Sequence, residues 1–361
     1  VQDKYYVSDI LTVNYGLRYD SFEMANGPAY NEYGSSLLGF RNDTPASTSI
    51  VQPRFGFQLD ATNLDMFSSD RIVAAEIRGG YGLFAGRVPN VWLASPFANS
   101  GVVQYGSRTG RFAAGTPDCT TGAEITCFKA PETIYQDFPY SDYASTSPAQ
   151  AIDPNYDTPS TWKLNLELLL TTANGYDLKL AYNRDEAKDG VGFSDASASV
   201  EQVGKTGVVT YDSEGAYYIT NGPGASSDSI TLSLDKEFDN GVSVFASYTG
   251  LDAENAWNGT SSQLSSNLEY NPRVDLMNVS VGKTPWAIEN RFVAGLNYTA
   301  NWFNNAPTSF SLFYKAYSGK RFSYGFDGLY DGYDDANTLL YIPTAGDANV
   351  VYSGVTEGEV L

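Results

Sequence analysis

The fold is decided by the stretch Arg71-Ile-Val-Ala-Ala-Glu-Ile-Arg-Gly-Gly-Tyr-Gly-Leu-Phe-Ala-Gly-Arg-Val-Pro-Asn-Val-Trp-Leu-Ala-Ser-Pro-Phe-Ala-Asn-Ser-Gly101. Its first half alternates with a period of two, so that Val73 and Leu83 fall on one face while Glu76 and Arg78 fall on the other. The alternating part runs for about 14 residues, well beyond the roughly 5–6 of an ordinary globular strand. A strand of this length, apolar on one side and polar on the other, followed by a very long segment without periodicity, is typical of a membrane-spanning β-barrel.

Composition supports an all-β protein. The 361 residues include 34 Gly, 27 Tyr and 19 Phe but only 3 Met, and they contain no apolar run near the roughly 18 residues of a membrane helix. Histidine is absent, which excludes Ser–His and Cys–His nucleophile pairs. No spacing singles out an acid pair or a Ser–Lys arrangement, so we expect no catalytic residue and no cofactor.

The same alternation recurs along the chain. Asn-Gly turns at 174–175 and 240–241 are strong hairpin signals between such segments. We therefore predict about nine to eleven antiparallel, tilted strands in a transmembrane barrel. The residues expected to face lipid include Leu11, Val13, Tyr15, Leu17, Tyr19, Phe55, Phe57, Leu59, Ile77, Tyr81, Leu83, Trp162, Leu164, Leu166, Leu168, Leu170, Tyr176, Leu178, Leu180, Tyr182, Ile230, Leu232, Leu234, Val242, Val244, Ala246, Tyr248, Phe292, Ala294, Leu296, Tyr298, Phe310, Leu312 and Tyr314.

Short and long connections alternate between the predicted strands. The barrel layout places short turns on the periplasmic side and long loops outside the cell. Most of the 42 acidic residues, which give the chain its net charge of −20, lie in the long segments. This acidity disfavours nucleic acid as a partner and suits either a divalent-cation-rich cell surface or a simply solvated exterior. The short connections cover about 61–70, 171–175, 239–241 and 301–307, and the long ones about 21–50, 87–160, 187–228, 251–289 and 319 onward.

Charged residues of both signs occupy the face opposite the apolar set. They cannot face hydrocarbon, so they indicate a wet interior or a polar plug. The alternative, the solvent face of a soluble sheet, does not explain why one class of loop is always long. The residues predicted to face the lumen are Arg18, Arg54, Arg78, Lys163, Glu167, Asp177 and Lys179.

The long loops carry three further candidate features. Cys119 and Cys127 could form a disulfide in an oxidising compartment, the alternative being two unpaired thiols. A Gly-rich turn with four aspartates could hold Ca²⁺, or it could be an ordinary acidic loop. Loop aromatics could form a ligand platform, or they could pack the loops together. The Ca²⁺ candidates are Asp327, Asp331, Asp334 and Asp335, and the aromatic candidates are Trp92, Phe97, Tyr105, Tyr135, Tyr140, Tyr143 and Trp257.

Five motifs carry a family resemblance over most of the chain. The chain resembles TonB-dependent outer-membrane receptors of the Oar-like group. The motifs are Tyr15-Gly-Leu-Arg-Tyr-Asp, Gln52-Pro-Arg-Phe-Gly-Phe, Gly82-Leu-Phe-Ala-Gly-Arg-Val-Pro-Asn-Val-Trp-Leu with Asn99-Ser-Gly, Ser318-Gly-Lys-Arg-Phe-Ser-Tyr and Leu339-Leu-Tyr-Ile-Pro.

The resemblance implies a 22-stranded outer-membrane barrel with an N-terminal plug and a TonB box, preceded by a carboxypeptidase-regulatory-like domain. None of these N-terminal parts is visible in residues 1–361, so we expect an internal segment of a single barrel domain whose edges pair with strands outside this sequence. The implied function is energised uptake or binding of a ligand. The size, acidity and aromatic content of the loop 87–160 suit a bulky organic ligand such as a peptide or glycan better than an anion. The implied partners are outer-membrane lipid and lipopolysaccharide, the TonB complex through parts outside this chain, and a surface lipoprotein. A passive porin or surface-binding barrel is the alternative, and an outer-membrane enzyme ranks last.

Overall fold

The computed structural model describes residues 1–102, 148–203, 209–256, 259–271, 273, 275–303, 306–325, 339–340, 342–348 and 350. Strands dominate these ranges, with three short helices between them. None of the described helices has both the length and the apolarity to cross a bilayer. The elements in chain order are β1 (Gln2–Tyr6), β2 (Leu11–Glu23), α1 (Glu32–Leu38), β3 (Ser47–Asp60), β4 (Ile72–Ala85), α2 (Asn90–Ala98), β5 (Ala151–Ile152), β6 (Ser160–Thr172), β7 (Tyr176–Asp195), β8 (Ser199–Val203), β9 (Val209–Asp212), β10 (Tyr217–Gly222), β11 (Ser226–Glu237), β12 (Val242–Asn255), α3 (Leu264–Glu269), β13 (Gly282–Lys283), β14 (Asn290–Phe303) and β15 (Ala306–Tyr317).

The long strands form one antiparallel sheet in sequence order. The main path is β1-β2-β3-β4-β6-β7-β11-β12-β14-β15, in which each strand pairs with the next along the chain except where the small strands of the loops intervene. Within the described residues β1 and β15 lie at the two edges of this path. The antiparallel all-β architecture is the one predicted from the alternation.

The strand register places the predicted lipid-facing residues on one continuous face. Tyr15 pairs with Phe55, which pairs with Tyr81, and the row continues to Leu164. Across the second half of the sheet the row Leu180, Leu232, Tyr248 and Phe292 does the same. We call this the apolar face; it is defined by the lipid-facing set given above.

Large side chains on the apolar face are exposed. Leu232 is 55% exposed, Leu312 69% and Tyr19 65%. Apolar surface of this extent is unstable against water, because soluble proteins rarely expose more than a few hundred Å² in one patch. Hydrocarbon is the solvent that this face requires.

The segment 187–228 contains more strand than the sequence prediction, which is a long polar connection with room for a short extra strand pair around Val208 and Tyr218. Strand β7 continues to Asp195 and pairs with β10 from Gly190 onward, while β8 and β9 form a separate hairpin. Strand β1 was also missed. Alternation fails at 190–195 because Phe193 and its neighbours are covered by packed loops, and strands covered on both sides lose the polar–apolar period.

The loops at the outer end of the sheet pack into a common core. Helix α1 begins where the Asn31 side chain accepts a hydrogen bond from the Gly34 N–H at 2.9 Å, and it ends at Gly39 with φ of 76°. Helices α2 and α3 bring Leu93 and Leu264 against strand residues of β5, β7 and β10. We call this cluster the loop core, and its buried members are Ala46, Leu93, Ile152, Tyr156, Phe193, Tyr211, Ile219, Leu264, Leu268 and Leu276.

Candidate functional site

The second face of the sheet gathers the predicted charged residues. We call it the polar face; the register places all seven of them there. Arg54 lies in a row between Gly16 and Gly82, and this row continues to Lys163 and Asp185. The residues that the structure brings onto this face are Arg18, Arg54, Arg78, Lys163, Glu167, Asp177 and Lys179.

Glu167 is the centre of a three-residue ion-pair cluster on the polar face. Its Oε2 accepts a hydrogen bond from Arg78 Nε at 2.6 Å, and its Oε1 lies 2.8 Å from Lys179 Nζ. The Glu167 side chain is only 12% exposed, whereas the two cations are more open. One carboxylate therefore ties β6 to both of its neighbouring strands.

The other charged residues form looser local pairs. Arg18 Nε lies 2.9 Å from Asp20, and Lys163 Nζ lies 3.4 Å from Asp185. Thr171 Oγ1 donates to Asp177 at 2.7 Å. Ion pairs as exposed as these contribute little to stability. Their charged groups lie on the face that does not contact hydrocarbon.

Arg54 differs from these cations. Its guanidinium lies 4.4 Å from the centre of the Phe84 ring, and its Nη2 donates to Gln52 Oε1 at 3.2 Å. Its Nε is buried and has no hydrogen-bond partner among the residues that the structure describes. Within the described part of the chain, no carboxylate forms an ion pair with Arg54.

The amide oxygen of Gln52 holds the Arg54 guanidinium in position. The Gln52 side chain is 1% exposed, donates to Asp20 Oδ2 at 2.5 Å and accepts from the Ala85 N–H at 2.9 Å. Because both ends of the amide are bound, its oxygen is held in place for Arg54.

A cavity of about 660 Å³ lies next to Arg54. Glycines 56 and 80 face each other across β3 and β4, and Gly82 lies under Arg54, so this part of the face carries no side-chain bulk. Amide side chains stand on either side, including Asn165, which donates to Asn183 Oδ1 at 2.7 Å. The arrangement offers several hydrogen-bonding groups and one cation that forms no ion pair with a described carboxylate.

The loop aromatics have different environments. Trp92 Nε1 donates to the Ser261 carbonyl at 2.6 Å, and its ring packs edge-on against Phe193 at 5.2 Å. This indole therefore contacts two other segments at the outer end of the sheet, and its role in ligand binding stays a prediction. Phe97 is 42% exposed on α2.

Several predicted loop features lie outside the described residues. This applies to the predicted disulfide Cys119–Cys127 and to the Ca²⁺ candidates Asp327, Asp331, Asp334 and Asp335. It applies also to Tyr105, Tyr135, Tyr140, Tyr143 and Trp257. These stay predictions.

Burial and ion pairing shift the pKa values of several groups in the outer loops. A hydrogen bond from Arg41 lowers the pKa of the Asp43 carboxyl. Burial raises the pKa of the Tyr156 hydroxyl, and burial together with a hydrogen bond to Asp275 raises that of Tyr211. Burial also lowers the pKa of the Arg273 guanidinium to about 10.

Sequence reasoning found the charged residues but missed the cavity. The missed elements are the glycines 56, 80 and 82, the Phe84 ring under Arg54, and the amides of Asn14 and Asn165. One signal was present: Gly80 and Gly82 occupy alternate positions of β4, and Gly56 lies on the same face of β3, opposite the apolar set.

Comparison with known proteins identifies a family and two solved structures with partial similarity. Residues 1–311 match the family model described as "Outer membrane beta barrel domain". The outer membrane transporter YddB from Escherichia coli is 9% identical with a TM-score of 0.37, over 82% of this chain and 38% of that chain. The RagAB peptide importer in the closed-closed state is 12% identical with a TM-score of 0.41, over 95% of this chain and 38% of that chain. The chain thus spans well under half the length of either structure, and no curated protein matches it.

Proposed function

This chain belongs to the outer membrane β-barrel domain family, and we propose that it forms part of the wall of a TonB-dependent transporter. The proposed cargo is a bulky organic ligand, such as a peptide or glycan, taken up with inner-membrane energy. The observation that carries the proposal is the two-faced sheet. A continuous apolar face fits lipid, and a polar face with ordered charges lies behind it.

The polar face supports traffic of a polar solute. Its charges are held in pairs and its centre carries an open cavity, so a solute meets hydrogen-bonding groups rather than hydrocarbon.

The proposed partners follow from the location of the chain in the outer membrane. Outer-membrane lipid and lipopolysaccharide contact the apolar face and the outer rim. The TonB complex acts through parts of the protein outside this chain, and a surface lipoprotein is a candidate for capturing ligand above the loop core. The proposal includes no catalytic activity, no cofactor and no nucleic acid.

Uptake by cells provides the test. Cells that contain or lack the full-length protein are supplied with labelled oligopeptide and oligosaccharide mixtures, and the label retained inside is measured. We expect uptake of at least one mixture to need both this protein and a working TonB complex. Uptake that needs the protein but persists without TonB would show a passive porin, and equal uptake with and without the protein would refute a transport role.

A further inference from the structure

We propose that the cavity beside Arg54 is a subsite for a carboxylate group of the organic cargo, with the Arg54 guanidinium as its counter-ion. The proposal rests on the function proposed above, since it places a ligand group on the polar face. It assigns a chemical class to one position on that face.

The geometry around Arg54 indicates preorganisation. The guanidinium is stacked on Phe84 at 4.4 Å and bound to Gln52 at 3.2 Å, and Gln52 is itself fixed at both ends. A guanidinium held in this way loses little conformational freedom when an anion binds, which favours affinity.

The charge balance around the cavity favours an anion. Arg78 already contacts Glu167, and Lys163 already lies near Asp185. Arg54 forms no ion pair within the described residues, and its buried Nε has no hydrogen-bond acceptor among them. The Asp20 carboxylate interacts electrostatically with Arg54, but it is already hydrogen-bonded to Arg18 and Gln52. An arriving carboxylate would supply a direct ion-pair partner and would accept a charge-assisted hydrogen bond.

The surrounding groups favour an organic carboxylate over a bare anion. Backbone at glycines 56 and 80 is open to close approach, and the amides of Asn14, Asn165 and Asn183 line the cavity. Such amides can donate to and accept from amide or hydroxyl groups next to a carboxylate. A cavity of about 660 Å³ has room for such a molecule.

Binding by the purified full-length protein in detergent tests the proposal. Saturation-transfer NMR would measure binding of N-acetylglycylglycine and of glucuronate, each against its uncharged amide. We expect at least one carboxylate to bind more tightly than its amide. A preference for N-acetylglycylglycine would indicate a peptide as the source of the carboxylate, and a preference for glucuronate would indicate a sugar. We expect Arg54→Gln to weaken carboxylate binding by about 10- to 100-fold and amide binding much less.

Three further variants make the result specific. Arg54→Lys retains the charge and should restore part of the preference. Arg41→Gln, which removes an arginine paired with Asp43 in an outer loop, should leave binding unchanged. Gly56→Ala places a methyl group on the cavity floor, and its nearest neighbour, the Gly79 carbonyl, is at 3.4 Å, so the fold tolerates it while both probes should bind less well.

Two outcomes overturn the subsite. In the first, wild-type protein shows no preference for either carboxylate over its amide. In the second, a folded arginine variant, either Arg54→Gln or Arg54→Lys, binds like wild type, and Gly56→Ala does so too. Cell uptake separates this result from the proposed function: uptake that persists with these outcomes leaves transport standing and removes only the subsite.

Discussion

At the scale of single residues, Glu167 is the group on which the polar face depends most. It is the least exposed member of its cluster and serves two cations from neighbouring strands. We expect Glu167→Gln to lower the free energy of unfolding by about 1–3 kcal/mol, because Arg78 and Lys179 lose their shared counter-charge. Urea unfolding of the purified protein in lipid, followed by tryptophan fluorescence, measures this change.

Asp185→Asn is the matched control for that variant. Asp185 lies 3.4 Å from Lys163, and both side chains are at least 40% exposed. Exposed pairs contribute at most about 1 kcal/mol. Equal losses in the two variants would contradict the importance given to the Glu167 cluster.

Tyr156 in the loop core is expected to respond to alkaline pH. Its hydroxyl is buried and has no hydrogen-bond partner in the described part of the chain, and burial raises its pKa. Because the folded pKa lies above the unfolded value of 10.0, stability is fully present below pH 10 and falls as the pH rises beyond it. We expect limited proteolysis of the loops to accelerate above pH 10.

Tyr156→Phe isolates that effect. The variant removes an unsatisfied buried hydroxyl, so stability at neutral pH should be unchanged or slightly higher. The alkaline loss should also become smaller, although Tyr211, whose pKa is raised as well, retains its share. A less stable variant at neutral pH, or an identical alkaline profile, would show that the Tyr156 hydroxyl is satisfied.

At the scale of elements, an aromatic side chain fixes the packing of β12, β14 and β15. Phe245 covers Gly295 on the polar face, and its ring centre lies 6.4 Å from that of Phe313. A methyl group at position 295 would overlap the Phe245 ring. We expect Gly295→Ala to cost about 1–3 kcal/mol in unfolding free energy, measured by the same urea titration.

The control is Gly250→Ala on β12, where the nearest atom to an added methyl is Ile230 Cγ2 at 3.6 Å. That change should stay within about 0.5 kcal/mol. The double variant Phe245→Ala with Gly295→Ala should cost less than the sum of its two single changes, because the ring that clashes is gone. Strict additivity would show that the two residues do not interact.

The long strands could be predicted from sequence because each faces two solvents. Strand β4 at Ile72–Ala85 follows the alternation from which it was predicted. Helix α1 has seven residues, too few to show a helical pattern of apolar residues in the sequence, although Asn31 and Gly39 cap its two ends. Helix α2 contains Pro96 and has no side-chain cap, so no local signal marked it.

The candidate site was predictable in part for the same reason. Alternation assigns Arg54, Arg78 and Glu167 to one face, but it does not say which cation pairs with which carboxylate. Pairing depends on the register between strands that are far apart in sequence, as for Arg78 and Glu167. That Arg54 forms no ion pair with a described carboxylate therefore could be learned only from the structure.

At the scale of the whole molecule, the sheet separates two environments over its full width. Rows of apolar side chains continue from β2 to β15 on one face, and rows of polar side chains continue on the other. The loop core covers the outer end, where α1, α2 and α3 lie. Under the proposed function, a polar solute that passes the loops would meet the Glu167 cluster and the Arg54 cavity on the polar face, not on the lipid side.

Adjacent residues on β11 test this separation of faces. Leu232 belongs to the apolar face and is 55% exposed, whereas Ser233 pairs with Lys179 and Ser247 on the polar face. An arginine on the lipid side near mid-membrane costs about 2–4 kcal/mol, whereas one on the inner side can remain hydrated. We expect Leu232→Arg to reduce the folded protein in the outer membrane, and Ser233→Arg to reduce it far less. Quantitative immunoblotting of outer-membrane fractions measures both, and equal losses, or a larger loss for Ser233→Arg, would reverse the assignment of the faces.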